Sequence, residues 1–312
     1  MKIIVTGATG HIGSFVVRYL AMQFPSAEIV MLDNMMTQRF CALFNLPRTA
    51  DYRFLEVDVT AIDLRPIFEG AHAVIHLAAI TDAAASFDRA EQVEANNYQA
   101  TLKVAEACVE TGARLLSMSS TSVYGTTKNF VAEDCPPEEI NPQSPYAITK
   151  LKEERLVQEL CATRGLRAVS CRLGTIFGAS RGMRFHTAVN KFCWQAVMGT
   201  SITVWSTAMD QKRPYLDLVD ASRAISFIIN EDLFDSRVYN VLTLNATVRD
   251  IVETIQAYIP DLKIEFVDNR IMNQLSYEVS CERFTHTGFS FAGDLKRGIG
   301  ETIALLRGAN SV

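Results

Sequence analysis

Tyr146 and Lys150 stand four residues apart in the stretch SPYAITK, residues 144–150, where Pro145 suits the first position of a helix. On a helix that spacing puts phenol and amine on one face, a turn apart. A free tyrosine titrates near 10 and is a poor base at neutral pH, but an ammonium beside it favours the phenolate. The pair can therefore take a proton from a hydroxyl, or be an ordinary couple on a solvated helical face. Upstream, the strand-like run before SMSSTSVYG, residues 117–125, brings hydroxyls to the end of a strand. Ser120 is placed to hydrogen-bond the same substrate hydroxyl and help Tyr146 deprotonate it.

A partner for that chemistry is written at the N-terminus. TGATGHIG, residues 6–13, has glycines at 7, 10 and 13 directly after a first strand and opening a helix. This is the short-spaced form of the dinucleotide loop: Gly7 for the tight turn, Gly10 for backbone approach to a pyrophosphate, Gly13 for close helix packing, with His11 and Ile12 beside the loop. The unpaired N–H groups and dipole of the helix N-terminus favour the phosphates. Asp33 ends the second strand about twenty residues on, where a carboxylate accepts hydrogen bonds from both adenosine ribose hydroxyls and repels a 2′-phosphate. That selects NAD over NADP, although Arg39 is near in sequence. Asp58 and Val59 come at the end of the third strand and can hold the adenine edge, or Asp58 can cap the next helix. A positively charged nicotinamide ring would push Tyr146 toward the phenolate as Lys150 does.

The remaining sequence must position these groups. Short apolar runs (KIIVTGA, EIVMLD at 28–33, YRFLEVDV at 52–59, AVIHLAA at 73–79, ARLLSMSS at 113–120, AVSCRLGTIFG at 168–178) alternate with segments of helical period. Continuous rather than alternating apolar character predicts a parallel sheet covered on both faces. Long helices are predicted at about 85–110 and 145–164. After residue 180, strands at ITVW, RPYLDLVD, VYNVLT and IEFVD interleave with helices near 183–198, 220–231, 247–259 and 294–308. No linker separates the parts, so the division is a first domain over 1–180 and a smaller α/β lobe over 181–312, with elements able to cross between them.

Composition excludes several classes. The 312 residues are 48% apolar with a formal net charge of −5, and there is no basic block, so neither nucleic acid nor an anionic membrane is a partner. No apolar stretch reaches the ~18 residues of a membrane span, and Met1-Lys2 runs straight into a strand without a signal-peptide pattern. Seven scattered cysteines, none in CxxC spacing, suggest neither disulfides nor zinc and fit a cytoplasmic protein. His72, His186 and His286 lack metal-ligand spacing; His76 reads as a satisfied core residue, and Trp194 and Trp205 as packing residues.

Taken together, TGATGHIG, LDN, VDVT, HLAA, NNYQAT, SSTSVYG, SPYAITK, RLGTIFG and RPYLDLVD resemble the extended short-chain dehydrogenase/reductases, in the nucleotide-sugar epimerase and dehydratase branch, over essentially the whole chain. The resemblance implies a Rossmann-type doubly wound α/β fold with a C-terminal substrate lobe. It implies a catalytic Ser120–Tyr146–Lys150 triad and a cofactor groove lined by Leu77, Ala78 and Ala79, with Asn34 and Ser119 along it. Asn97 matches an asparagine that steadies the active-site strand, and the two long helices match those forming a homodimer's four-helix bundle. Arg213 takes the place of an arginine that grips a substrate diphosphate. Arg270, seven residues before Tyr277, matches a second, and Arg184 lies in the loop facing the sugar. Guanidinium groups suit that task because each can donate two hydrogen bonds to phosphate oxygens.

Two departures narrow the expectation. Sugar 4,6-dehydratases of this branch follow the serine position with Asp-Glu, whereas Thr121-Ser122 stand here and cannot do that acid/base work. Gly174 replaces an asparagine that many UDP-hexose epimerases place near the phosphates. The resemblance thus implies an NAD-dependent nucleotide-sugar epimerase, most readily inverting C4 through a transient keto-sugar by reversible hydride transfer. A reductase or dehydrogenase with net hydride transfer is the close rival. An L-threonine dehydrogenase-like enzyme and a non-enzymatic cofactor sensor are the more distant ones.

Overall fold

The structure, a computed structural model, describes residues 1–81, 85–125, 130–205, 207–267 and 276–308. Its centre is a seven-stranded, wholly parallel sheet. From one edge to the other the strands are Val238–Val241, Ala168–Leu173, Arg114–Ser120, Ala73–His76, Lys2–Thr6, Glu28–Asp33 and Asp51–Glu56. The chain starts in the middle and winds outward in both directions. The order therefore reverses beside Lys2–Thr6, and such a reversal opens a crevice at the carboxyl ends of the strands. Pairing of Thr6 with His76, and of His76 with Ser117, brings the dinucleotide loop, HLAA and the serine cluster to that same edge.

Strands buried on both faces need helices on both faces, and two apolar cores supply the packing. On one face His11–Gln23 and Leu218–Asn230 cover Ile3, Val5, Ile29 and Ile75. On the other Ala90–Thr111 and Pro145–Arg164 lie side by side over Ile4, Val30, Val74 and Leu115. The second of these helices starts where the sequence places it: the Ser144 side chain accepts from Ala147 N at 3.2 Å and Pro145 occupies the first turn. The first begins at Ala90, later than the periodicity suggests, because Ala85–Phe87 form a 3₁₀ turn.

The run AVSCRLGTIFG is two strands. After Leu173 the chain leaves the central sheet, with Gly174 N donating to Val241 O, and Thr175–Phe177 pair instead with Tyr215–Asp217. That strand, Lys212–Asp217, also pairs antiparallel with Leu244–Thr247, and with the parallel pair Ile202–Trp205 and Ile264–Val267 it forms the frame of the smaller lobe. Helices Ala188–Val197, Val248–Tyr258 and Leu295–Arg307 share its core. A division at residue 180 does not follow the chain strictly, since Leu218–Asn230 and Val238–Val241 return to the central layer. Of the two tryptophans read as packing residues, Trp194 is 41% exposed with its ring against Phe185, and Trp205 is half-buried.

One buried charge cluster ties these layers together. Arg172, on the strand after helix Pro145–Arg164, donates to both oxygens of Glu154 at 2.9 and 2.6 Å and to Tyr124 OH at 2.8 Å. Tyr124 OH in turn donates to Asn240 Oδ1 at 3.0 Å, on the edge strand. Arg172 and Glu154 are each 3% exposed, so losing one partner strands the other's charge in the interior. Glu154→Ala is expected to lower folding stability by about 3–5 kcal/mol, read as a fall in denaturant midpoint at unchanged slope.

Candidate active site

The glycine loop is built by exclusion of side chains. Gly7 has φ of +66°, and a Cβ there would lie 2.7 Å from Ala78 N, so the turn rests directly on the HLAA backbone. A Cβ at Gly13 would lie 2.2 Å from Gly7 O. Gly10 is the N-cap of His11–Gln23 and supplies no capping side chain, and no acidic residue sits in the first turn, so the helix N-terminus is left open for an anion. Asp33 fixes the loop from the neighbouring strand: Oδ2 accepts from Thr9 N at 3.0 Å and Oδ1 from Met35 N at 2.9 Å. A carboxylate has about four acceptor sites, so two remain for ribose hydroxyls. The cradle, the open helix end and the carboxylate fit a dinucleotide.

The other candidates along this groove divide into two sorts. Leu77 and Ala78 wall it beneath Gly7, and Leu77, Ala78, Ala79 and Ile12 are partly exposed. Asn34 is exposed, with Oδ1 accepting from Met36 N at 3.1 Å. Asp58 closes its own turn, Oδ1 accepting from Thr60 Oγ1 at 2.6 Å and Thr60 N at 2.8 Å, and these bonds hold its carboxyl below the usual range. Val59 is buried behind it. Asn97 is 1% exposed and spends its amide on Ile80, accepting from Ile80 N at 2.8 Å and donating to Ile80 O at 2.9 Å. It holds the exit of the HLAA strand.

A second strap, after Thr175–Phe177, lies against the loop and carries no motif that marks it in the sequence. A Cβ at Gly182 would lie 2.1 Å from Thr9 O and 2.4 Å from Gly10 O, while Gly182 N donates to Ser14 Oγ at 2.8 Å. Asn190 Nδ2 donates to His11 Nε2 at 3.4 Å, which leaves the proton on Nδ1 to donate to Ser180 Oγ at 2.9 Å. Burial first, then Arg184, Arg39 and His186, pulls His11 down to about 3, so its ring is neutral. The Arg184 guanidinium donates to Thr81 Oγ1, which places it at the HLAA side of the groove.

At the start of helix Pro145–Arg164, the surface-couple reading of Tyr146 and Lys150 does not hold. Lys150 is only 4% exposed, with Nζ 6.0 Å from the centre of the Tyr146 ring and 2.8 Å from Glu153 Oε2. Burial opposes its charge. The Glu153 carboxylate and Tyr146 together outweigh that and hold the ammonium above the ordinary lysine range. Tyr146 itself is half-buried, its backbone N–H directed at Ser86 Oγ at 3.4 Å. Ser120 Oγ accepts from Ser122 Oγ at 2.9 Å and from Ser122 N at 3.2 Å, so its own proton is available to donate. Ser119 Oγ is buried with no partner among the described residues.

Arg213 reaches this end through an aromatic ring. Its guanidinium lies 5.3 Å from the centre of the Tyr277 ring, and Tyr277 OH donates to Thr121 O at 3.2 Å, next to Ser120. Arg270 lies outside the described residues.

The sequence profile of the NAD dependent epimerase/dehydratase family matches residues 3–241. The chain belongs to that family. The family is NAD-dependent and NAD is the cofactor, with which the shape of the glycine loop agrees. Among relatives, a trifunctional UDP-glucose 4,6-dehydratase/UDP-4-keto-6-deoxy-D-glucose 3,5-epimerase/UDP-4-keto-L-rhamnose-reductase of Arabidopsis thaliana is 27% identical over 97% of this chain. The chain spans only 46% of that protein. An uncharacterised UDP-glucose epimerase of Bacillus subtilis is 27% identical over 77% of this chain and 76% of its own length. Among solved structures, UDP-glucuronic acid 4-epimerase of Bacillus cereus, in complex with a fluorinated UDP-glucuronic acid and NAD, superposes with a TM-score of 0.90 at 22% identity, covering 99% of this chain and 100% of that one. MoeE5 in complex with UDP-glucose and NAD superposes at 0.85 with 26% identity, each chain covered fully. No helix among the described residues is long and apolar enough to cross a membrane.

Gly182 meets the loop through its backbone, so a side chain there would disturb the loop from outside it. Gly182→Ala must push the strap off Thr9 and Gly10 while leaving Gly7, Gly10 and Asp33 intact. The expected result is roughly tenfold weaker NAD binding by calorimetry, about 1.4 kcal/mol, with the melting transition still cooperative.

Proposed function

We propose that this chain is an NAD-dependent nucleotide-sugar epimerase acting at C4. The observation that carries the reading is the buried, charged Lys150 beside Tyr146, supported by a Ser120 hydroxyl that has a proton to donate. Tyr146 would accept the proton of the sugar hydroxyl, and Lys150 would hold the developing phenolate by its charge. Ser120 would donate to the same sugar oxygen and keep it aimed at Tyr146. When bound, NAD supplies the acceptor and donor of hydride for the sugar carbon. Gly7, Gly10, Gly13 and Asp33 would hold its adenosine and phosphates, with Leu77, Ala78 and Ala79 along the groove. Arg213, stiffened by stacking on Tyr277, would grip the diphosphate while the sugar turns over.

Thr121 and Ser122 support inversion over dehydration. Thr121 Oγ1 donates to Leu173 O at 3.2 Å and Ser122 Oγ to Ser120, so neither position carries an acid or base for loss of water. A net reductase is the second reading, favoured by the reductase activity named for the Arabidopsis relative. The helices Ala90–Thr111 and Pro145–Arg164, with Ile148 41% exposed on the second, are the surface for a homodimer on this reading.

The test is incubation of purified protein with UDP-, dTDP-, GDP- and CDP-sugars, with products followed by NMR and NADH by absorbance. An epimerase gives a new sugar isomer with no net change in NADH, whereas steady consumption of NADH selects the reductase. Tyr146→Phe should cut turnover roughly 100- to 10,000-fold with NAD still bound, and full activity in that variant defeats both readings. Arg213→Met should raise KM about tenfold or more and leave kcat nearly unchanged.

A further inference from the structure

The Lys150–Glu153 pair is the end of a longer buried string. Glu153 Oε2 accepts from Lys150 Nζ at 2.8 Å and from Thr101 Oγ1 at 2.9 Å. Thr101 Oγ1 lies 3.2 Å from His76 Nε2, and His76 Nδ1 lies 2.8 Å from Thr6 Oγ1. Thr6 Oγ1 accepts from the backbone N–H groups of Leu77 and Ala78, each at 3.2 Å. The polarity of this string is set by its ends. Thr101 donates its one proton to the carboxylate, so it must accept from His76, whose proton is then on Nε2. Nδ1 is left as an acceptor, and Thr6 donates to it. Every donor from the cofactor groove onward therefore points toward Glu153.

The string crosses four elements: the first strand, the HLAA strand, helix Ala90–Thr111 and the catalytic helix. Thr6 and Thr101 are fully buried, and Glu153 is 2% exposed with Oε1 unpartnered among the described residues. The titratable groups facing Lys150 are Glu153 and Tyr146 from its own helix and His76 from the HLAA strand. Helix Ala90–Thr111 brings the neutral Thr101. Burial first, then Lys150, lowers His76 to about 3, so the imidazole carries no charge and Glu153 is the carboxylate that balances the ammonium.

We propose that Glu153 is a positioning residue for the tyrosine–lysine couple: the buried counter-ion that keeps the Lys150 ammonium charged and in place beside Tyr146. The proposal rests on the reading of Tyr146 as proton acceptor. Without the carboxylate, burial acts unopposed on the amine, Lys150 gives up its proton at lower pH, and the phenol loses the charge that favours its ionised form.

The test is an NMR titration of protein labelled with ¹³C at lysine Cε and loaded with NAD, in the absence of any sugar. The Lys150 signal is assigned by its loss in Lys150→Met. In the wild type its midpoint lies above that of ordinary lysines. In Glu153→Gln, which keeps an acceptor for Thr101, the midpoint should fall by roughly 1–3 pH units; in Glu153→Asp, which retains a retracted charge, it should fall by less. An unchanged midpoint in the folded Gln variant overturns the proposal. Should that variant fail to melt cooperatively, the Asp variant decides in the same way, a lowered midpoint supporting the proposal and an unchanged one defeating it. With an active sugar in hand, the alkaline limb of kcat should move to lower pH in Glu153→Gln, at little change in KM. Because the titration uses no sugar, it is independent of the proposed reaction, which fails separately if Tyr146→Phe turns over normally.

Discussion

An ammonium group in the interior of a protein must be balanced by a carboxylate or lose its proton, and the placing of Lys150 makes that constraint the organising one. It is met by Glu153, one turn along the same helix, and the neighbouring Glu154 meets the same demand for Arg172. Consecutive helix positions point about 100° apart, so two adjacent carboxylates serve two different buried cations. One cation lies beside Tyr146. The other sits on Ala168–Leu173 and is braced through Tyr124 to the edge strand at Asn240. The helix Pro145–Arg164 is thus pinned by charge at two levels as well as by its apolar face.

What is legible in the sequence is what is local. The glycine spacing, the Asp33 strand end and the Tyr146–Lys150 interval each fall within one or two elements, and a period or a turn requirement fixes them. Glu153 is not legible, because Thr101, which donates to it, and His76 and Thr6 behind Thr101 come from three other elements, and a glutamate beside a lysine on a helix reads as a surface pair. Gly182 is similar: its need for a bare backbone arises only from carbonyls of the N-terminal loop. The Arg213–Tyr277 stack joins residues far apart, and in the sequence Tyr277 serves only as a marker of spacing. The run AVSCRLGTIFG reads as one strand since both halves are apolar, and only the sheet partners divide it. Trp194 reads as a packing residue by its type, but its ring partner Phe185 is visible only in the fold.

The two lobes are not consecutive beads. Helix Leu218–Asn230 belongs to the first core, although it comes directly after Lys212–Asp217 of the smaller sheet. At that junction Asp217 caps the helix through Val219 N, and its other oxygen receives Arg297 from the terminal helix. The strand bearing Arg213 is therefore held at one end by the central layer. The guanidinium and the end of strand Arg114–Ser120 share a frame, and Tyr277 spans the gap between them.

The dinucleotide loop is gripped from two sides, by Ala78 beneath Gly7 and by the Gly182 backbone against Thr9 and Gly10. A loop so confined is already in its receiving shape before any guest arrives, so little conformational entropy remains to be surrendered on capture. The same confinement couples distant mutations: a bulkier residue in the strap, contributed by the far half of the polypeptide, would be felt at the first turn of the first helix.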